Sequence, residues 1–247
     1  MEKDWDKRAK VNARKYVALD GWKTQEEFEK SGLLDAKKVL QDVSTMENCV
    51  ALEIGVGVGR VLKHTASHFK EVYAIDVSGE MLRIARVELR DINNVRFFQG
   101  NGNDLSNFPA GTFDFVYSVK VFQHIPREAF VNYINDIARV LKPEGMLKFQ
   151  IFEKTKILSL IPWFWLRNLW NFHFKFWDIP PDKDSWIARS YSRDELAHML
   201  QNRFNILKME NLSRREGDLW VTARVRKTAM EHCSSLMINP ARAKRQL

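Results

Sequence analysis

The chain has 247 residues, 45% of them hydrophobic, which is enough to bury a substantial core in one main domain. Its two cysteines give no disulfide framework and cannot make a metal site alone. The formal charge of +8 is uneven: residues 1–18, 154–193 and 227–247 carry +3, +4 and +3, leaving −2 on the rest, with no clustered basic stripe of the kind that binds nucleic acid.

In chain order, residues 1–48 read as a helical N-terminal extension, with Thr24 and Glu27 spaced as a capping box before a helix through Leu40. The run VALEIGVGVGR at 50–60 reads as a buried strand ending in an acidic residue and a glycine-rich turn, Glu53 followed by Gly55, Gly57 and Gly59. Glycines so spaced let the backbone turn sharply and approach a ligand, which marks a nucleotide-type pocket at a strand's carboxyl end. A dinucleotide site would place its third glycine one residue later, where Arg60 stands. A second run, EVYAID at 71–76, stops on Asp76, where a carboxylate can accept from both hydroxyls of a ribose. A third, VRFFQGNGNDL at 95–105, ends in Gly100, Asn101 and Gly102, and FDFVYSVKVFQHIP at 113–126 supplies a fourth. LKPEGMLKFQIF at 141–152 reads as a helix end, a turn and a fifth strand. Helices are predicted over 61–68, 78–91 and 127–141, the second capped by Ser78 and the third burying Phe130, Ile134, Ile137 and Leu141 on one face. After residue 190, a helix capped by Ser192 precedes two strands joined as a hairpin at Gly217, so the final strand is expected to be antiparallel.

The five ordered signals across 49–153 resemble those of the class I S-adenosylmethionine-dependent methyltransferases. The resemblance implies an α/β, Rossmann-like fold: a seven-stranded, mostly parallel sheet with an antiparallel last strand and helices on both faces. It implies S-adenosyl-L-methionine as cofactor and S-adenosyl-L-homocysteine as product. It also implies that Glu53, Gly55 and Gly57 hold the methionine part, Asp76 binds the ribose hydroxyls, and Val77 and Met81 pack on the adenine. Asn101, where the family usually has Asp, would reach the adenine amino group, and Ser118, Val119 and Lys120 would sit beside the transferable methyl. Arg60, Gly102 and Gln123 complete the implied cofactor set. Because a sulfonium methyl is already activated, the protein's main task is to align a nucleophile behind it and exclude water. A hydroxyl or ammonium must still lose a proton, and His124 is the candidate base because an unperturbed imidazole titrates near neutrality. The competing reading is a structural histidine in the turn before Pro126. Tyr16 and His173 are the further candidates.

The resemblance also organises the chain: a lid at 1–48 in which Trp5, Arg8 and Tyr16 face the pocket, a methyltransferase domain at 49–226, and a flexible basic tail at 227–247. A packing helix with a solvated basic face is the alternative for the lid. The insertion at 154–191 holds Trp163, Trp165, Trp170, Trp177 and Trp186, five of the chain's eight tryptophans. Trp163, Trp165, Trp170, His173 and Trp177 are expected to wall the methyl acceptor. Peripheral membrane contact through 157–177, a homodimer contact and a local subdomain core compete with that reading. A membrane span is disfavoured because Pro162 and Arg167 interrupt a run already short of roughly 20 apolar residues. A basic rim around an aromatic wall suits an anionic small molecule or an anionic lipid surface. His64 and His68 share a helix face without a third ligand, so no metal is expected. Residues 1–20 lack the apolar core of a secretory signal, and a reducing cytoplasm is the expected compartment. The expected activity is methyl transfer to oxygen or nitrogen of a small, anionic or amphiphilic molecule. The alternatives are a membrane-surface enzyme acting on a lipid or lipid-linked acceptor, a nicotinamide-dependent oxidoreductase, and a non-catalytic cofactor-binding partner.

Overall fold

β1 (Val50–Ile54) is the central strand in the computed structural model, which describes residues 1–17, 24–41, 43, 46–154, 188–212 and 217–226. Ala51, Leu52, Glu53 and Ile54 are all buried, as expected of a parallel strand covered on both faces. β2 (Glu71–Asp76) and β3 (Val95–Gln99) lie on one side of it, and β4 (Phe113–Ser118) and β5 (Leu141–Glu153) on the other, every pairing parallel. Leu141 pairs with Phe113 and Met146 with Phe115, so the turn through Pro143, Glu144 and Gly145 bulges out of β5 between them. The two-residue β6 (Ser190–Tyr191) pairs with the end of β5, and β7 (Phe204–Glu210) and β8 (Asp218–Val225) complete the sheet. The order is β3-β2-β1-β4-β5-β8-β7, with β8 antiparallel to both neighbours. The antiparallel last strand expected from the sequence is present, and β6 makes the expected seven strands eight. Chain order reverses between β1 and β4, which opens a crevice at their carboxyl ends.

The helices start where local chemistry satisfies their first N–H groups. α1 spans Glu2–Val17 and leaves helical geometry at Asn12 (φ −167°, ψ 87°). α2 (Gln25–Leu40) begins at the full capping box: Thr24 Oγ1 accepts from Glu27 N at 3.2 Å, and Glu27 accepts from Thr24 N at 3.3 Å. α3 (Leu62–Thr65) is one turn followed by a 3₁₀ turn, Ala66–His68, together filling the helix expected at 61–68. α4 (Gly79–Glu88) is capped by Ser78 and α6 (Arg193–Leu200) by Ser192, with α5 (Arg127–Val140) between them in the chain. α4 stops three residues short of the expected 91 because Leu89 departs from helical φ/ψ.

One core joins the sheet to α5 and α6, with the Phe130 ring 5.0 Å from Phe122 and 5.4 Å from Tyr191. A second lies under α2, α3 and α4, and a third, smaller cluster of Ala9, Ala13, Phe28, Val58 and Met81 holds α1 to the body. Polar contacts fasten the same helix: Asp6 accepts from Ser78 Oγ at 2.5 Å and Glu80 N at 3.1 Å, and Arg14 pairs with Glu88 at 2.7 Å. α1 therefore runs across the carboxyl end of the sheet. No described helix is long and apolar enough to cross a membrane.

Candidate functional site

The crevice beside β1 and β4 is a cleft of about 630 Å³, open to solvent, with its floor made by the turn after β1 and the loop after β4. Lys120 takes a left-handed conformation (φ +61°), turning the chain so that Val121 meets Gly55. A Cβ on Gly55, itself at φ +76°, would stand 2.2 Å from Val121 Cγ2. Gly57 is also left-handed (φ +54°), and a Cβ there would come within 2.9 Å of the Val17 side chain on α1. Both positions require glycine, because a side chain at either would collide with Val121 or Val17. Ile54, Ile75, Val77, Met81, Ile125 and Tyr133 make the cleft lining apolar, and Met1, with Trp5 and Val17 of α1, completes it.

Asp76 ends β2 at the edge of this floor. Its Oδ2 accepts from Gly57 N at 2.8 Å and its Oδ1 from Ser78 N at 2.9 Å. Burial raises its pKa, and the N–H groups of Ser78, Gly57 and Val77 act in the opposite direction. A carboxylate offers more acceptor sites than these contacts use, which leaves Asp76 capacity for a hydroxyl of a ligand. A glycine turn, apolar lining residues and a carboxylate with spare acceptor capacity fit an adenosyl group. Among the described residues, no cluster of His, Cys, Asp or Glu could hold a metal ion.

His124 faces the same cleft from the 3₁₀ turn after β4, with Trp5 edge-on at 6.0 Å between ring centroids. Burial, then the charges of Arg8 and Arg189, lower its pKa to about 4. The imidazole is neutral at pH 7, and its Nδ1 has no hydrogen-bond partner among the described residues. That is the form a general base requires.

Beneath the floor lies a buried ionic cluster. Asp35 of α2 receives Arg60 at 2.8 Å, Lys38 at 3.2 Å and Lys120 at 3.7 Å. Burial alone would raise the Asp35 pKa, but Lys120, Arg60 and Lys38 hold it below the usual carboxylate value. The cluster ties α2 to the turn after β1 and to the loop after β4.

Of the residues singled out in the sequence, Gly55, Gly57, Asp76, Val77, Met81, Gly102 and His124 line the cleft, as do Trp5 and Lys120. Glu53 does not: its carboxylate accepts from Tyr117 Oη at 2.9 Å, Tyr117 meets Thr65 at 2.8 Å, and burial raises the Glu53 pKa to about 8. Arg60 is held by Asp35 and Ser31, and Asn101 turns inward to accept from Asn103 N and Asp104 N. Ser118 Oγ donates to Ile54 O at 2.9 Å, Val119 packs in the second core, and Gln123 Nε2 lies 3.4 Å from His124 Nε2. Tyr16 is buried on α1 and is not part of the cleft lining. Trp163, Trp165, Trp170, His173 and Trp177 lie outside the described residues. Met1, Val17, Val121, Ile125 and Tyr133 line the cleft without having been singled out. The left-handed Lys120 that aims Val121 has no sequence signature, whereas Tyr133 is legible as part of the apolar face of α5.

Comparison with known proteins agrees with this geometry. Residues 52–149 match a family described as a methyltransferase domain. Chondramide synthase of Chondromyces crocatus is 31% identical over 139 residues, 52% of this chain but 4% of that protein. Demethylmenaquinone methyltransferase of Staphylococcus saprophyticus is 24% identical over 181 residues, 72% of each chain. The crystal structure of a SAM-dependent methyltransferase from Aquifex aeolicus superposes with a TM-score of 0.58 at 20% identity, over 81% of this chain and 98% of that one, a likeness of fold.

Proposed function

We propose that this chain is a class I S-adenosylmethionine-dependent methyltransferase, a reading supported by the methyltransferase-domain match over residues 52–149 and by the likeness of fold, and that it transfers the cofactor's methyl group to an oxygen or nitrogen of a small, anionic or amphiphilic molecule. When bound, S-adenosylmethionine supplies an activated sulfonium methyl and is left as S-adenosylhomocysteine. Asp76 accepts from the ribose hydroxyls with its remaining acceptor capacity, and Val77 and Met81 pack on the adenine. The backbone at Gly55 and Gly57 admits the ligand close to the floor. Lys120, held by Asp35, keeps the loop after β4 in the shape that presents Val121 and His124 to the cleft. His124 takes the proton from the attacking atom of the acceptor, and Trp5 and Val17 keep water out.

The observation that carries this reading is that His124, Asp76, Gly55 and Gly57 line one cleft, which supports a base beside a ribose site. Calorimetric titration with S-adenosylmethionine and S-adenosylhomocysteine, with a nicotinamide dinucleotide as control, tests it. Micromolar binding of both sulfur ligands and none of the control is the expected result. Binding of the dinucleotide alone would overturn it. Screening acceptors by homocysteine-product release then tests turnover.

A further inference from the structure

Tyr133 is a polar residue of the cleft that methyl transfer through Asp76 and His124 leaves unused. It stands in the second turn of α5, 5% exposed, and lines the cleft. Burial, then the charges of Asp76, Asp104 and Asp136, raise its pKa, and its hydroxyl makes no hydrogen bond among the described residues. The phenol therefore stays protonated and neutral, with an oxygen free to accept and a proton free to donate. Buried tyrosine hydroxyls are nearly always partnered, so one left open on a cleft marks where a polar atom of the ligand belongs. The three carboxylates whose charge reaches it make the place suit an N–H of that ligand better than a lone pair.

The position of Tyr133 is fixed from two sides. Its ring centre lies 5.9 Å from that of Phe122, in the turn that carries His124. On the other side α5 is tied to the segment after β3: Asn132 Nδ2 donates to Asn103 Oδ1 at 3.2 Å, Asp136 accepts from Leu105 N at 2.7 Å, and Arg139 donates to Phe108 O at 2.7 Å. Gly102 of that segment lines the cleft together with Tyr133. Its neighbour Asn101 is the residue to which the family resemblance gives the adenine amino group. Asn101 is exposed and is not part of the cleft lining. Its Oδ1 already accepts from Asn103 N at 2.8 Å and Asp104 N at 3.0 Å, and its Nδ2 donates to Asp104 at 2.9 Å. A carbonyl oxygen has two lone pairs, and both are spent inside the turn. The amino group of a bound adenine then needs another acceptor, and Tyr133 offers one from the facing helix.

We propose that Tyr133, and not Asn101, recognises the adenine of the cofactor, its hydroxyl oxygen accepting a hydrogen bond from the exocyclic amino group. The proposal rests on the methyl-transfer reading above and assigns the residue that selects the base. Base recognition in this chain then comes from α5, the helix that follows the His124 turn, and the segment after β3 contributes only the small Gly102 beside the ring.

The test is calorimetric titration of the full chain with S-adenosylhomocysteine and with its counterpart whose base is purine, lacking only the amino group. Wild type, Tyr133→Phe and Asn101→Ala are compared; Tyr133→Phe keeps the ring that packs on Phe122 and removes the hydroxyl alone. Wild type is expected to prefer the amino-bearing ligand by about tenfold, the loss that follows from one buried hydrogen bond. Tyr133→Phe should bind the two ligands within about twofold of each other, and the amino-less one within about twofold of wild type. Asn101→Ala should keep the preference. If wild type shows no preference, or if Tyr133→Phe retains it, the proposal is wrong. A wild type that binds neither homocysteine ligand would count against the methyl-transfer reading. Adenosine and purine riboside, titrated into the same three proteins, would still decide this one by the same comparison, with no preference for adenosine overturning it.

Discussion

Burial and two neighbouring guanidinium groups hold His124 neutral down to about pH 4. A base must be unprotonated to act, so a lowered pKa extends activity toward acid. The acid limb of kcat/KM is expected near pH 4, where an ordinary histidine would put it near 6.5. A pH–rate profile with its limb at 6 or above would contradict this. The same shift affects stability with a definite sign. Between roughly pH 6.5 and 4 the unfolded chain binds the proton and the folded chain does not, so stability falls as the pH drops through that window. His124→Ala should cost on the order of 100-fold in turnover and leave calorimetric affinity for S-adenosylhomocysteine within a factor of two. Asp76→Ala should weaken that affinity by roughly tenfold to a hundredfold, because losing one hydrogen bond to a charged acceptor costs about 1.5–3 kcal/mol. At this scale the sequence was readable wherever the backbone itself imposes the residue. Gly55 and Gly57 stand at positive φ where a side chain would collide with Val121 and Val17, and Asp76 stands where it accepts from the backbone of Gly57 and Ser78. Glu53 was misdirected by proximity: it neighbours Ile54 on β1, and alternate residues of a strand face opposite ways, so the cleft receives Ile54 while Glu53 turns to Tyr117. Asn101 resolves its own polar groups within its turn, a local option that Asn always has.

α1 and α5 have opposite relations to the sheet. α5 is built into a core, and its Phe130 contacts Phe122, Phe149 and Tyr191. Phe130→Ala should cost about 3–5 kcal/mol of stability, read from urea denaturation, because the surrounding rings cannot collapse into the space left. α1 is fastened mainly at the α4 N-terminus, where Asp6 accepts two hydrogen bonds and faces the positive end of the helix. Asp6→Ala is expected to cost about 0.5–2 kcal/mol, the range for losing a capping side chain. It should also speed hydrogen exchange in α1 while leaving α5 unchanged; equal acceleration in both helices would mean the contact only stabilises the whole fold. Helix starts were legible because capping is local: Thr24, Ser78 and Ser192 all cap as their spacing indicated. The face of α5 was legible from its apolar spacing. The break at Asn12 and the two-residue β6 were not, since one residue or two carry no periodicity and depend on what they pack against.

For the molecule as a whole, a mostly parallel sheet followed from the sequence because successive buried runs were joined by helices, and the final hairpin at Gly217 pointed to an antiparallel β8. The aromatic stretch that holds most of the tryptophans lies outside the described residues, so its expected role as an acceptor wall stays a proposal. Charge distribution was informative in a way that composition alone hid. Two of the three basic stretches supply Arg8 and Arg189, distant in sequence and brought to one histidine by the fold. Saturating S-adenosylhomocysteine at about 100 times its Kd should stabilise the fold by about 2.7 kcal/mol, a rise of about 5–10 °C in Tm for a chain of this length. A nicotinamide dinucleotide at the same concentration should leave Tm unchanged, and differential scanning calorimetry checks both. Ser78 adds a temporal consequence. Its N–H serves Asp76 and its hydroxyl serves Asp6, so the residue that steadies Asp76 also anchors the helix above it. A ligand beneath α1 would leave only after that anchor lets go. The residence time of the spent cofactor should therefore track the opening rate of α1, and Asp6→Ala should shorten it more than it weakens equilibrium affinity.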